Sequence, residues 1–280
     1  MTRILTDSAA DFLPQELAAQ GIACVPMTIN FGPDSYVDGE ALSKAQFYDL
    51  LEQGAYFPTT SQPAPFDFET HFRAAKDAQD AIVAVLISSA LSGTFQGACM
   101  AQASVGWEEI YLVDSRQATA GQHLLVDYAV RLREQGLSAR AIAQALEEVK
   151  PRIRLFASVD TLEYLYRGGR LSKTAASLGT LAHVKPIVSI NQAGEVAVAA
   201  KCMGRKRAMD YLLEQIKRAR RDPAFPVYTL YSHDRTNRDL LAGQLEQLGI
   251  SVEERFCCNI GPTIGTHVGV GACGLVYVER

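Results

Sequence analysis

The chain has 280 residues, 48% of them apolar and 21% charged, with a formal net charge of −4. That length accommodates one large or two modest domains, and the apolar fraction excludes a disordered or collagen-like chain. The slight acidity argues against a dedicated nucleic-acid binder, so no nucleic-acid partner is expected.

In the first half, short apolar runs alternate with helical patterns. A strand over 3–6 leads through Asp7-Ser8 to a helix over 14–20, with Pro14 in its first turn and Gly21 as its C-terminal cap. A strand follows over 22–29. Ser43 caps a helix that puts Phe47, Leu50 and Leu51 on one face and ends at Gly54. A helix spans 66–78. Residues 81–87 form a continuous apolar run without period-2 alternation, the pattern of a parallel strand covered on both faces. Residues 110–113 repeat it, and helices follow over 119–135 and 138–150. This βα alternation predicts an α/β lobe with a mostly parallel sheet over 1–150.

Pro151 marks a break, and a second α/β lobe is expected over 151–280. Its elements are strands over 155–159, 185–190, 195–200, 227–231, 252–256 and 274–278, and helices over 161–166, 174–182, 204–221 and 237–248. Asn191-Gln-Ala-Gly194 reads as the turn of a hairpin. Charge follows the division. Residues 1–80 hold twelve acids and four bases, whereas 201–221 hold eight bases and two acids. The basic stretch reads as a solvated helix face or as a docking surface for an acidic partner or a phosphate.

Two windows, 81–107 and 256–278, contain no Asp, Glu, Lys or Arg. Their length raises the question of a membrane span. Ser88, Ser89, Ser92, Gly93 and Thr94 interrupt the first, and Gly261, Pro262, Gly265, Gly269 and Gly271 interrupt the second, which a lipid-exposed backbone does not tolerate. The N-terminus lacks a signal-peptide core. The six cysteines at 24, 99, 202, 257, 258 and 273 include no Cys-x-x-Cys pair, so reduced cytoplasmic thiols and no metal site are expected. Gly269-Val-Gly271-Ala-Cys-Gly274 fits G-x-G-x-x-G, but the chain ends six residues later, leaving no room for a dinucleotide-binding unit. Gly169-Arg-Leu-Ser-Lys173-Thr174 lacks the spacing of a P-loop, and no serine sits in a G-x-S-x-G elbow.

Small-polar loops at strand ends remain: Pro58–Pro63, Ser88–Thr94, 261–269 with His267 among glycines, and 160–170 ending in Gly168-Gly169-Arg170. Helix N-termini favour anions. Hydroxyls, an imidazole and a guanidinium without an activated nucleophile suit holding a carboxylate or phosphate better than breaking a bond.

The segments Thr6-Asp7-Ser8-Ala9-Ala10-Asp11-Phe12, Thr60-Ser61-Gln62-Pro63, 87–96, Val113-Asp114-Ser115, 160–172, Lys185-Pro186-Ile187 and 261–274 closely resemble the DegV family of bacterial fatty-acid-binding proteins. That family includes the acyl-carrying subunit of fatty acid kinase. The resemblance covers the whole chain and implies two α/β lobes with one long-chain fatty acid in a buried tunnel between them. It implies that Thr60 and Ser92 hold the carboxylate, with Arg170 and His267 near it. Ser61, Gly93 and Thr266, from the same motifs, complete the expected ligand-binding set. The implied partner is a separate ATP-dependent kinase subunit that phosphorylates the bound carboxylate to an acyl phosphate, with transient membrane contact. No cofactor other than the lipid and no catalytic residue is implied. Lys201, Arg205 and Lys206 are the candidate docking residues. Ala64, Val270 and Cys273 depart from the family's common Ser, Pro and Leu. Two other readings stay open: an acyl or phosphoryl transferase using Ser92 with His267 as base, and a regulatory lipid sensor.

Overall fold

The computed structural model describes residues 1–171 and 183–280; the helix expected over 174–182 lies outside them. The first half comprises β1 (Thr2–Asp7), α1 (Pro14–Gln20), β2 (Ile22–Val25), β3 (Thr28–Phe31), β4 (Asp34–Val37), α2 (Lys44–Gln53), β5 (Thr59–Ser61), α3 (Pro65–Asp77), β6 (Ala81–Leu86), α4 (Thr94–Val105), β7 (Ile110–Asp114), α5 (Thr119–Glu134) and α6 (Ala139–Val149). The second comprises β8 (Ile153–Ser158), α7 (Glu163–Arg167), β9 (Val184–Ile190), β10 (Val196–Met203), α8 (Gly204–Arg218), β11 (Tyr228–Tyr231), α9 (Thr236–Gln247), β12 (Cys257–Asn259), α10 (Pro262–Val268) and β13 (Cys273–Val278).

Four strands in the order β2-β1-β6-β7 form a parallel sheet. Six more, β10-β9-β8-β13-β11-β12, form a mixed sheet in which only the β11–β12 pair is parallel. The strand period of two sorts the core residues. Leu5, Ala84 and Leu86 face α3 and α4, through Phe68, Phe72, Ala98 and Ala101. Ile4, Val83 and Val85 face the other way, onto Leu124 and Leu125 of α5 and Leu146 of α6. The same cluster continues into Leu155, Ala157, Val188, Leu230 and Val276 of the six-stranded sheet. That sheet's far face carries α8 and α9 through Leu212, Ile216, Leu241 and Leu245. The architecture is thus five layers, α/β/α/β/α, with α5 and α6 shared between the sheets.

Three local expectations are corrected. The apolar run over 22–29 is two strands, because Pro26 has no N–H to donate and breaks the ladder. The second piece, β3, joins β4 and β5 in a separate antiparallel sheet. The strand expected over 252–256 is a 3-10 turn at Glu254–Phe256, and pairing starts at Cys257. The glycine-rich stretch thought to be a loop over 261–269 is the helix α10, started by Pro262 at its first turn.

Close approach at one glycine fixes the cavity-side strand. A Cβ on Gly274 of β13 would lie 2.4 Å from the Phe156 carbonyl oxygen and 2.8 Å from the Ala157 Cα of β8. Both are backbone atoms held in register and have no room to yield. We expect Gly274→Ala to lower unfolding free energy by about 1–3 kcal/mol or more, read from urea denaturation. An unchanged midpoint would show that β8 and β13 can separate freely.

Candidate functional site

Between the sheets lies a cavity enclosing about 800 Å³ of space not filled by atoms, part of it open to solvent. Among the described residues, 23 line it, and sixteen of these are aliphatic or methionine, supplied by both halves of the chain. Ile87 and Leu91 come from the β6–α4 connection, Leu155, Ala157 and Val159 from β8 and its extension, and Ile264 and Val268 from α10. The seven polar residues include Thr60, Ser92, Arg170 and His267.

Helix α10 carries His267, and carboxylates from the first half hold its N-terminal end. Asp11 accepts the Gly261 amide at 2.8 Å. Asp38 accepts from both the amide and the hydroxyl of Thr263. Ser8 Oγ lies 3.2 Å from Thr263 Oγ1, and the Tyr48 hydroxyl donates to the Ile260 carbonyl at 3.0 Å. Lys44 Nζ bridges the halves, donating to the carbonyls of Asp11 (2.8 Å) and Asn259 (2.6 Å). Helix N-termini favour such negative charge. Burial opposes it, pushing the Asp11 carboxyl up to about 6 against the pull of Lys44 and raising Asp38 as well. Asp7 is raised to about 6 by the same desolvation. Its carboxylate accepts the Ile87 amide at 2.7 Å, so it fixes the start of the β6–α4 connection.

Four segments converge at the polar end. His267 Nε2 lies 3.0 Å from Thr60 Oγ1. Its Nδ1 is buried and has no hydrogen-bond partner among the described residues. Gly168 packs against that edge, since a Cβ there would stand 2.2 Å from Nδ1. Next to it, the half-buried Arg170 donates to the carbonyls of Gly168 (2.6 Å) and Leu91 (3.0 Å). Ser92 Oγ lies 2.8 Å from Thr94 Oγ1 and accepts the Thr94 amide at 3.4 Å at the start of α4. The Gln62 amide donates to the Gly93 carbonyl at 3.4 Å, which joins the Thr60 strand to the Ser92 turn. Burial, and secondarily the Arg170 charge, pushes His267 down to about 4. Among the described residues, the polar end therefore presents a neutral imidazole, one guanidinium and the hydroxyls of Thr60 and Ser92 to the cavity.

The other sequence candidates sit differently. Ser61 is exposed, and its Oγ accepts from Asn30 at 3.2 Å, because neighbours in a strand point to opposite faces. Thr266 is buried with its hydroxyl on the Pro262 carbonyl at 2.9 Å, a contact within α10. Gly93 is the N-cap of α4 and, like Ser61 and Thr266, is not a lining residue. His267 stands on a helix rather than amid an irregular loop. Its imidazole meets Thr60, while the Ser92 hydroxyl meets Thr94, so the Ser92–His267 pair of the transferase reading is not assembled. Lys201, Arg205 and Lys206 are exposed at the junction of β10 and α8; Arg205 lies 3.9 Å from Asp160. Asp38 and Lys44, which position α10, belong to no motif that the sequence analysis singled out. Among the described residues, no three His, Cys, Asp or Glu side chains are grouped to hold a metal ion, and no helix is long and apolar enough to cross a membrane.

A family profile described as "Uncharacterised protein, DegV family" matches residues 1–280. A DegV domain-containing protein of Caldanaerobacter subterraneus is 36% identical over 99% of this chain and 98% of its own length. Among solved structures, a fatty-acid-binding DegV family protein from Thermus thermophilus superposes with a TM-score of 0.90 at 32% identity, covering 100% of this chain and 99% of that one. A stearic acid-binding protein from Eubacterium ventriosum gives 0.88 at 26% identity, covering 100% and 98%.

The depressed imidazole has a measurable consequence. Its folded value, about 4, lies below the ordinary 6.5, so the unfolded chain takes up the proton first as pH falls. Stability is lost between pH 6.5 and about 4 and levels off below. Relative to His267→Gln, the native chain should lose on the order of 3 kcal/mol across this window; the comparison cancels the other buried groups. Parallel denaturation profiles for the two proteins would contradict the assignment.

Proposed function

The chain belongs to the DegV family, and from that membership we propose that it binds one long-chain fatty acid in the cavity between its sheets and presents the carboxylate to a separate kinase subunit. The observation that carries this reading is the shape of the chemistry: a mostly apolar cavity in which Thr60, Ser92, Arg170 and His267, with the cavity's guanidinium and imidazole among the described residues, meet at one end. The solved relatives described as binding fatty acids support it. The reading takes residues 1–150 and 151–280 as the two lobes and the cytoplasm as the working compartment.

A carboxylate buried without a partner costs far more than a hydrogen bond returns. Arg170 supplies the countercharge, and the neutral His267 and the Thr60 and Ser92 hydroxyls supply donors. With no charge of its own, His267 fixes direction without competing with Arg170. An acyl chain of ~14 buried methylenes contributes on the order of 11 kcal/mol before ordering costs, against ~1 kcal/mol for each net hydrogen bond. The cavity thus sets affinity and the polar groups set orientation. The chain acts as a carrier with no catalytic residue of its own. An acyl phosphate would form when the carboxylate oxygen attacks the γ-phosphorus of ATP held by the partner, with ADP as the leaving group, after the partner docks on the basic surface of Lys201, Arg205 and Lys206.

Native mass spectrometry of the purified protein, then denaturation and lipid identification, tests the reading. A fatty acid released without covalent attachment is the expected result, and a covalent acyl-enzyme would favour the transferase reading instead. Thr60→Ala and Ser92→Ala should keep the lipid but slow phosphorylation of its carboxylate by the kinase subunit; complete lipid loss with the fold intact would contradict this. Arg205→Glu should weaken kinase docking, and unaltered binding would remove the basic surface from the proposal.

A further inference from the structure

The cavity has a far end as well as a polar one. Leu155, Ala157 and Val159 alternate onto its face, so it follows this strand for about 13 Å. Val159 marks the polar end. It shares the cavity wall there with Leu165, whose carbonyl accepts the Arg170 amide at 2.9 Å. Strand register identifies the opposite end. Ala157 faces Val188, Phe156 faces Ser189, and Ile190 faces Val196 of β10. Leu155, Ile190 and Val196 therefore stand together at the end remote from Arg170.

Beyond them lies a separate surface hollow bordered by Arg116, Lys150 and Arg154. Leu155, Ser189 and Ile190 line both the hollow and the cavity. They form the partition between the two spaces. The hairpin that carries Ile190 and Val196 is fixed across the halves, since Ser88 Oγ donates to the Gly194 carbonyl at 2.8 Å and Arg116 to the Gln192 carbonyl at 3.4 Å.

We infer that Leu155 and Ile190 are the stop that sets acyl chain length. The inference rests on the fatty-acid reading above. A chain that reaches the partition fills the cavity. A longer one must bend or displace these side chains, which are held by a pinned hairpin. Trimming either residue joins the cavity to the hollow and gives the extra methylenes a place to lie.

The test is competition binding to the full-length, delipidated protein with saturated fatty acids from myristic to behenic. The set comprises the native chain, Leu155→Ala and the milder Ile190→Ala, whose site is half-buried and less exposed to a folding defect. Both variants should move the preferred length upward, gaining about tenfold for the longer acid over the native optimum for each two methylenes newly accommodated. A native chain that binds fatty acids, with variants whose length profile stays put or falls uniformly, overturns the stop while leaving the fatty-acid reading in place. A native chain that binds none of the series overturns both.

Discussion

The Asp11 carboxylate accepting the Gly261 amide, with Asp38 on Thr263, is the contact on which the rest of the site turns. It joins a turn near the N-terminus to a helix close to the C-terminus, and that helix carries His267 and two of the cavity's apolar walls. Keeping carboxylates in a buried place is unfavourable, and their raised proton affinities record it. The Lys44 ammonium and the positive end of α10 offset that cost. A seven-residue segment that holds Gly265 and four β-branched residues has little helical propensity of its own. Tertiary contacts at its first turn make it a helix and aim its imidazole.

The polar end shows the complementary arrangement. His267 is held neutral by desolvation and by Arg170, while Arg170 itself is tied to two backbone carbonyls. Among the described residues, charge is thus concentrated on one group of fixed position, and the other donors are dipoles. A carboxylate entering there meets that guanidinium and a set of oriented hydrogen-bond donors. That favours a single binding pose over a range of ion-paired ones.

How far the residues disclosed this arrangement depended on the kind of signal. The run over 81–87 announced its buried parallel strand because both faces are covered and no polar residue intrudes. Thr60, Ser92, Arg170 and His267 were reached through motifs and all line the cavity. Ser61 and Thr266 share those motifs, but one points out of a strand and the other bonds to its own helix; strand phase and a back-bonded hydroxyl are not visible in a motif. β5 escaped notice because three short polar residues form a strand only by pairing with β3. The start of α10 was legible in Gly261-Pro262, since proline favours the first helical turn, but the glycines that follow outweighed that signal. Asp38 and Lys44 act across the fold, and nothing local distinguishes them from solvated charges.

The hairpin pinned by Ser88 and Gly194 bears on kinetics as well as on shape. Because both halves of the chain wall the cavity and part of it is open to solvent, the portion of an occupant that lies deepest leaves last. Where the walls must spread for that portion to pass, its residence time follows a structural opening rate rather than affinity alone, and two occupants of very different affinity can depart at similar speeds. On the fatty-acid reading, release would be quickest where something else, a second protein or an interface, lowers the barrier to that spreading.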